Sequence, residues 1–228
     1  AVDAFRAAIK AAPKYEKSYW GLYNLFVKNS RFDDARLLVM EVLEKLGAKK
    51  DWINEYCRIQ YEQKFFEEAK NACQQAISMD SKKADNHVYL ALAFKYTENA
   101  DQARKIIFKA AKQFKNSEIT QWNAGQFAEE IQNWESADEY YSQCIKANPQ
   151  AGRCFLQLGK VLFQLKKYPL ALKALVRACP YEKGVDGDIR KFSYDLEKLN
   201  KNSEAKAYMK ETDKCDLVWF ENNKRSKK

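Results

Sequence analysis

Apolar residues return along this chain at intervals of three and four, in short runs set between polar stretches. Phe66, Ala69, Cys73 and Ala76 form one run, and Trp134, Ala137, Tyr141 and Cys144 form another with the same spacing. Because a helical turn takes 3.6 residues, each set falls on one helix face. A second stripe precedes each run. Tyr56 and Cys57 stand thirteen and twelve residues before Ala69, and Ala124 and Gly125 stand likewise before Ala137. The pattern predicts pairs of short amphipathic helices and an all-α chain. With 7 Gly and 4 Pro in 228 residues, the chain has too few turn formers for a β-sandwich or barrel.

The pairs repeat. Ala1, Ala35, Ala69, Ala103, Ala137, Ala171 and Ala205 are spaced by 34 residues, with no insertion from end to end. Three residues before the alanines stand mostly large aromatics: Phe32, Phe66, Trp134 and Tyr168. Seven residues after them stand mostly small residues: Ala8, Ala76, Ala110, Cys144 and Ala178. Twelve before them lies another small column with Cys57, Ala91, Gly125, Gly159 and Ser193, though Tyr23 opens it. Small columns let helices approach closely, and the large column plugs the gap between successive hairpins. One hairpin cannot bury its own apolar face, so neighbours must stack.

These columns resemble the tetratricopeptide repeat, whose signature runs W-x2-L-G-x2-Y, then A-x3-F-x2-A, then P. Pro13 and Pro149 stand twelve residues after Ala1 and Ala137, as that signature asks. The resemblance covers residues 1 to about 219 and implies a right-handed α-solenoid of stacked antiparallel helix hairpins. In this register a single domain holds repeats 16–49, 50–83, 84–117, 118–151, 152–185 and 186–219. Residues 1–15 are the second helix of a truncated repeat, and 220–228 form a frayed basic tail. Thirteen helices are expected: one over 1–12 and two per repeat. A lone leading helix would leave an apolar face bare, which implies that the native protein continues upstream. Pro180 should end the second helix of the fifth repeat early. The sixth repeat, with Asn202 and Thr212 in the aromatic and small columns, reads as a cap closed by Trp219 and Phe220.

Composition narrows the chemistry. The chain carries 40 bases and 31 acids, a net charge of +9, and each repeat holds acids as well as bases. That mixture argues against nucleic acid as the ligand, although Lys224, Arg225, Lys227 and Lys228 could touch phosphate. No run of 18 apolar residues is present, so no transmembrane helix is expected. The six cysteines form no Cys-x-x-Cys pair, and His87 is the only histidine. A zinc site is therefore unsupported. Cys57, Cys73 and Cys144 occupy small or packing columns, where a thiol serves as a small hydrophobe. Reduced cysteines and a cytoplasmic location are the expectation.

No catalytic constellation emerges. His87 falls on a packing face between helices, and no other imidazole could activate a nucleophile. Phosphate-binding glycine loops are missing from the sequence, and Asp186-Gly187-Asp188 reads as a turn rather than the start of a calcium loop. Neither cofactor nor metal is expected, and the chain reads as a non-enzyme.

The resemblance implies that places two, five, nine, twelve and thirteen of each first helix line an inner, concave surface. The candidate partner-binding residues there are Trp20 and Asn24; Asn54, Arg58 and Tyr61; Val88, Leu92 and Lys95; Trp122 and Gln126; and Lys160 and Phe163. Amides would hold a peptide backbone, aromatics would anchor its side chains, and the lysines would favour acidic partners. The carboxylate clamp of the family's chaperone-binding branch is not matched. Only Asn123 and Arg153 align with it, and Val88 and Leu92 replace its first Lys and Asn. The expected function is a protein-interaction scaffold or adaptor that binds a peptide segment or partner helix. Alternatives are a targeting or regulatory segment of a larger protein whose upstream part carries the activity, and a self-associating scaffold.

Overall fold

A computed structural model describes residues 1–97 and 99–225, with side chains through Asn222. Among the described residues there are thirteen helices and no strand. They are α1 (Val2–Ala11), α2 (Glu16–Lys28), α3 (Phe32–Leu46), α4 (Lys50–Glu62), α5 (Phe66–Met79), α6 (Ala84–Tyr96) and α7 (Ala100–Gln113), followed by α8 (Glu118–Glu130), α9 (Trp134–Ala147), α10 (Gly152–Gln164), α11 (Tyr168–Ala178), α12 (Val185–Lys198) and α13 (Asn202–Arg225). One compact unit spans Ala1–Ala110 and a second begins at Ala111. No described helix is long and apolar enough to cross a membrane.

The chain reverses between the two helices of a hairpin by one device. Ser30, Lys64, Gln132, Lys166 and Asn200 all have positive φ, between 56° and 65°. Each follows a first helix, and its amide bonds back to Val27, Tyr61, Glu129, Phe163 or Glu197. The next amide reaches one residue further back, to Phe26, Gln60, Ala128, Leu162 or Leu196. This is the Schellman closure, in which a left-handed residue satisfies carbonyls that the helix end leaves open. None of the five is glycine.

Apart from exposed Ala1, the alanine column is buried in both units. Ala35, Ala69, Ala103, Ala137 and Ala171 are fully buried, and Ala205 nearly so. In the first unit Tyr19, Leu22, Leu38, Val42 and Trp52 pack around α2, α3 and α4. In the second, Phe155, Leu175, Ile189, Leu196 and Tyr208 join α10 to α13. Small residues sit where helices meet most closely. A Cβ on Gly125 would stand 2.5 Å from the Tyr141 ring, and one on Gly159 would stand 2.6 Å from Leu175.

The cysteines depart from the expectation of free thiols: all six are paired. Cys57–Cys73 links the two helices of the second hairpin, Cys144–Cys154 ties α9 to α10, and Cys179–Cys215 ties the end of α11 to α13. Cys57 and Cys73 occupy the two columns that hold Gly125 with Tyr141 and Gly159 with Leu175. Their Cα atoms are 4.6 Å apart, within disulfide reach. The closeness that demands a small residue also permits a bridge, so column identity could not tell filler from crosslink.

Smaller expectations also change. His87 is half-buried, with its Nε2 3.1 Å from the Ser81 carbonyl at the edge of the hairpin. Asp186, Gly187 and Asp188 lie in the first turn of α12, which starts after left-handed Gly184. Met209 stands four residues after Ala205, in the column of Val39, Cys73 and Tyr141, but in the sixth hairpin Tyr208 turns inward instead. Its hydroxyl donates to the Tyr168 carbonyl at 2.7 Å, while Met209 is exposed. Phe220 is half open to solvent rather than closing the end, and the helix continues through Arg225 instead of fraying at 220. The side chains of Lys224, Arg225, Lys227 and Lys228 lie outside the described residues. As Pro180 requires, α11 ends at Ala178.

Candidate partner-binding surface

In the first unit, place five of each first helix is drawn into the stack. Trp20 stacks on Trp52 with ring centroids 3.8 Å apart, and the Trp52 indole donates to Glu16 at 2.8 Å. Asn54 is buried and accepts a 2.7 Å bond from the Asn86 amide, which joins α4 to α6. Val88 is fully buried. Asn54 and Val88 are therefore core residues, and Asn86 of the following hairpin takes up Asn54. Neither reaches a partner as the structure stands.

Arg58 also differs from the open base expected of it. Its guanidinium donates to Glu55 at 2.8 Å, to both Glu62 oxygens at about 3 Å and to the Tyr23 hydroxyl at 2.6 Å. Tyr23 donates in turn to Glu55. Burial, followed by the Glu55 contact, pushes the Tyr23 phenol far above its ordinary range. This network explains how a column of small residues accommodates Tyr23: the ring is buried and its hydroxyl is paired. Arg58 holds α4 to α2, and its charge is already neutralised.

Further along the same helices lies a more open surface. A cleft of about 740 Å³ is lined by Val27, Phe32, Asp33, Arg58, Glu62 and Phe65. A second, of about 390 Å³, is lined by Tyr61, Glu62, Lys64, Phe66 and Tyr96. The two share Glu62. Tyr96 is 55% exposed, Phe65 38% and Phe32 37%. The Phe66 ring stacks on Tyr96 at 4.7 Å, and Tyr61 leans on Phe66, Tyr89 and Tyr96. Burial lifts the Tyr89 phenol to about 12. Asn24 is exposed nearby in sequence on α2, and Leu92 and Lys95 are half-buried on α6. The inward stripe singled out Tyr61 but missed Phe65 and Tyr89. Phe32 and Phe66 were visible only as plugs, and they prove to be partly open.

In the second unit the stripe is mostly engaged internally. Trp122 packs against Tyr141 and lies under the Arg153 guanidinium, which is 4.9 Å from its ring. Arg153 and Asn148 both donate to Glu118; burial is the largest single effect and raises its pKa, but these bonds and the Arg153 charge together outweigh it and hold the carboxyl below its ordinary range. Gln126 is half-buried. Lys160 pairs with Asp188 at 3.1 Å. Phe163 stacks on Phe192 at 4.1 Å and touches Tyr168 and Tyr208. Glu118, Cys144 and Cys154 bring ligand atoms within 4.8 Å of one another. Both sulfurs are spent in a disulfide and the carboxylate on Arg153 and Asn148, so this group is poorly disposed to hold a metal.

Comparison with known proteins agrees with these hairpins. A family model described as tetratricopeptide repeat matches residues 123–183. No curated protein matches the chain in sequence. Among solved structures, the C-terminal part of a TPR repeat-containing protein from Cytophaga hutchinsonii aligns with a TM-score of 0.71 at 14% identity, over 95% of this chain and 90% of that one. MamA aligns with a TM-score of 0.60 at 14% identity, over 74% and 92%. YrrB, described as a TPR protein with an unusual peptide-binding site, aligns with 0.56 at 17% identity, over 78% and 92%. At such identities the likeness speaks for the fold alone. The 34-residue hairpins, the buried alanine column and the segment 123–183, which matches the tetratricopeptide-repeat model, show a tetratricopeptide-repeat fold.

Proposed function

We propose that this protein is a non-enzymatic interaction scaffold that binds a peptide segment or partner helix through the first-helix side of its hairpins. The principal contacts lie in the unit spanning Ala1–Ala110. The observation that carries this reading is the pair of adjoining aromatic clefts, with Phe32, Phe65, Tyr61, Phe66 and Tyr96 partly open to solvent. Aromatic anchors of this kind contribute about 2 kcal/mol or more each when a partner buries them. Asn24, Leu92 and Lys95 would extend the contact along α2 and α6. Trp20, Trp122, Gln126, Lys160 and Phe163 would contribute through whatever face their internal contacts leave open. The peptide-binding site named for YrrB supports the reading by analogy of fold.

The disulfides bear on location. Three pairs are uncommon in a reducing cytosol, and they support an oxidising compartment in place of the cytoplasm.

The double variant Phe65→Ala/Tyr96→Ala tests the surface, since both side chains are exposed and their removal should leave the hairpins intact. Pull-downs from native extract, quantified by mass spectrometry, are expected to show partners captured by the wild type and lost by the variant. A variant that stays folded by circular dichroism and keeps every partner would refute this surface.

A further inference from the structure

We propose that the fifth hairpin carries a second docking surface, a base-rimmed apolar slot bounded by α9 and α11 that receives an acidic amphipathic helix. It lies wholly within the second unit, with its floor on α10 and its walls on α9 and α11.

The charge pattern is the first support. From Tyr140 to Tyr181 the sequence holds seven bases and no acid, although the whole chain mixes 40 bases with 31 acids. Neither α10 nor α11 contains a carboxylate. The structure brings part of this excess to one place. A slot of about 270 Å³ has Phe155, Leu158 and Leu162 of α10 as its floor. On its α11 side stand Leu170, Lys173, Ala174 and Arg177, and Lys167 lies at its mouth.

Geometry and chemistry select the occupant. Leu170, Lys173, Ala174 and Arg177 are spaced i, i+3, i+4 and i+7, one stripe of a helix running along the slot. Leu170 is 55% exposed beside these bases. The Arg177 guanidinium lies 4.4 Å over the Phe155 ring, so it roofs the floor while its charge stays at the rim. Lys167 pairs with Asp138 of α9 at 2.9 Å, which leaves the rim with three bases against one acid. An incoming helix with apolar anchors at the same spacing would bury Leu170, and acids beside those anchors would meet Lys173 and Arg177. Nucleic acid fits less well, because the one aromatic face in the floor is covered by Arg177 and no ring is open for base stacking. A flat anionic membrane would meet the projecting lysines but not the recessed floor.

The test uses the full chain and a fluorescent peptide of about five helical turns, with Leu at i, i+3, i+4 and i+7 and Glu on the flanks. A scrambled peptide of the same composition, phosphatidylserine vesicles and a single-stranded oligouridine serve as the other arms. Anisotropy is expected to show the amphipathic peptide binding about tenfold tighter than the scrambled one, with affinity falling as salt rises. Leu170→Ser/Lys173→Glu should weaken it about tenfold, and Lys206→Glu, an exposed change on α13, should leave it within about twofold. If the double variant loses its helical circular dichroism, Lys173→Glu alone supplies the readout, as that side chain is exposed. Equal binding of both peptides, undiminished binding by the variant, or binding of vesicles or oligouridine alone would overturn the proposal.

Discussion

Replacing Cys57 by Ala and Cys73 by Val removes one crosslink while keeping residues that the same columns accept elsewhere. Ala91 and Val39 stand at those columns in neighbouring hairpins, and both are fully buried. The packing loss should therefore be small, and the main effect is on the unfolded chain. Cys57 and Cys73 are 16 residues apart in sequence, and closing a loop of that length removes about 3 kcal/mol of unfolded-state entropy at 25 °C. Against a total stability of about 5–15 kcal/mol, that is a large fraction. Urea unfolding followed by circular dichroism, without reductant, should place the variant about 3 kcal/mol below the wild type. With a phosphine reductant present the wild type should lose its advantage, and the gap should narrow to the packing difference. Two results would refute the reasoning. One is a variant within about 0.5 kcal/mol of the wild type in the absence of reductant, which is the range of an ordinary surface change. The other is alkylation of unreduced, denatured wild type at all six cysteines.

Two further perturbations address single residues. Gln132, left-handed at φ 56°, closes the fourth hairpin; Gln132→Gly should stabilise by about 0.5–1 kcal/mol, read as a higher urea midpoint, because the strain relieved exceeds the flexibility gained by the unfolded chain. Burial lifts the Glu129 carboxyl above its ordinary range, although the 2.7 Å bond from the Tyr141 hydroxyl and the charge of Lys160 oppose this. A raised folded-state pKa means that stability falls as pH climbs from the ordinary carboxylate range through the folded-state value. Glu129→Gln keeps an acceptor for Tyr141, so it should raise the melting midpoint at about pH 7 and leave it unchanged below about pH 4. A difference that persists unchanged at acidic pH would show that the carboxylate charge is not its source.

The 34-residue period, the helix pairs and the buried alanine column were all determined by local sequence. Helical spacing fixes which side chains share a face, and a residue with no room for a larger side chain marks the closest approach wherever it recurs. Ala35, Ala69 and Ala137 were legible for that reason. The turn residues were not, because Ser30, Lys64, Gln132, Lys166 and Asn200 have no chemistry in common, and their left-handed φ follows from the Schellman closure around them. The cysteines were read correctly as to place and wrongly as to state, since a bridge depends on which two Cβ atoms face each other across helices. The binding stripe was half legible. Periodicity set Asn54, Arg58 and Val88 on one face of their helices, but only the tertiary structure decided that Asn86 takes up Asn54, that Glu55, Glu62 and Tyr23 neutralise Arg58, and that neighbouring packing buries Val88. Phe65 and Tyr96 stay open at the turns, Phe65 between α4 and α5 and Tyr96 at the end of α6. Helix periodicity gives the direction of a side chain relative to its own axis, whereas exposure and pairing depend on the distance to the next helix, which is set by every side chain between them.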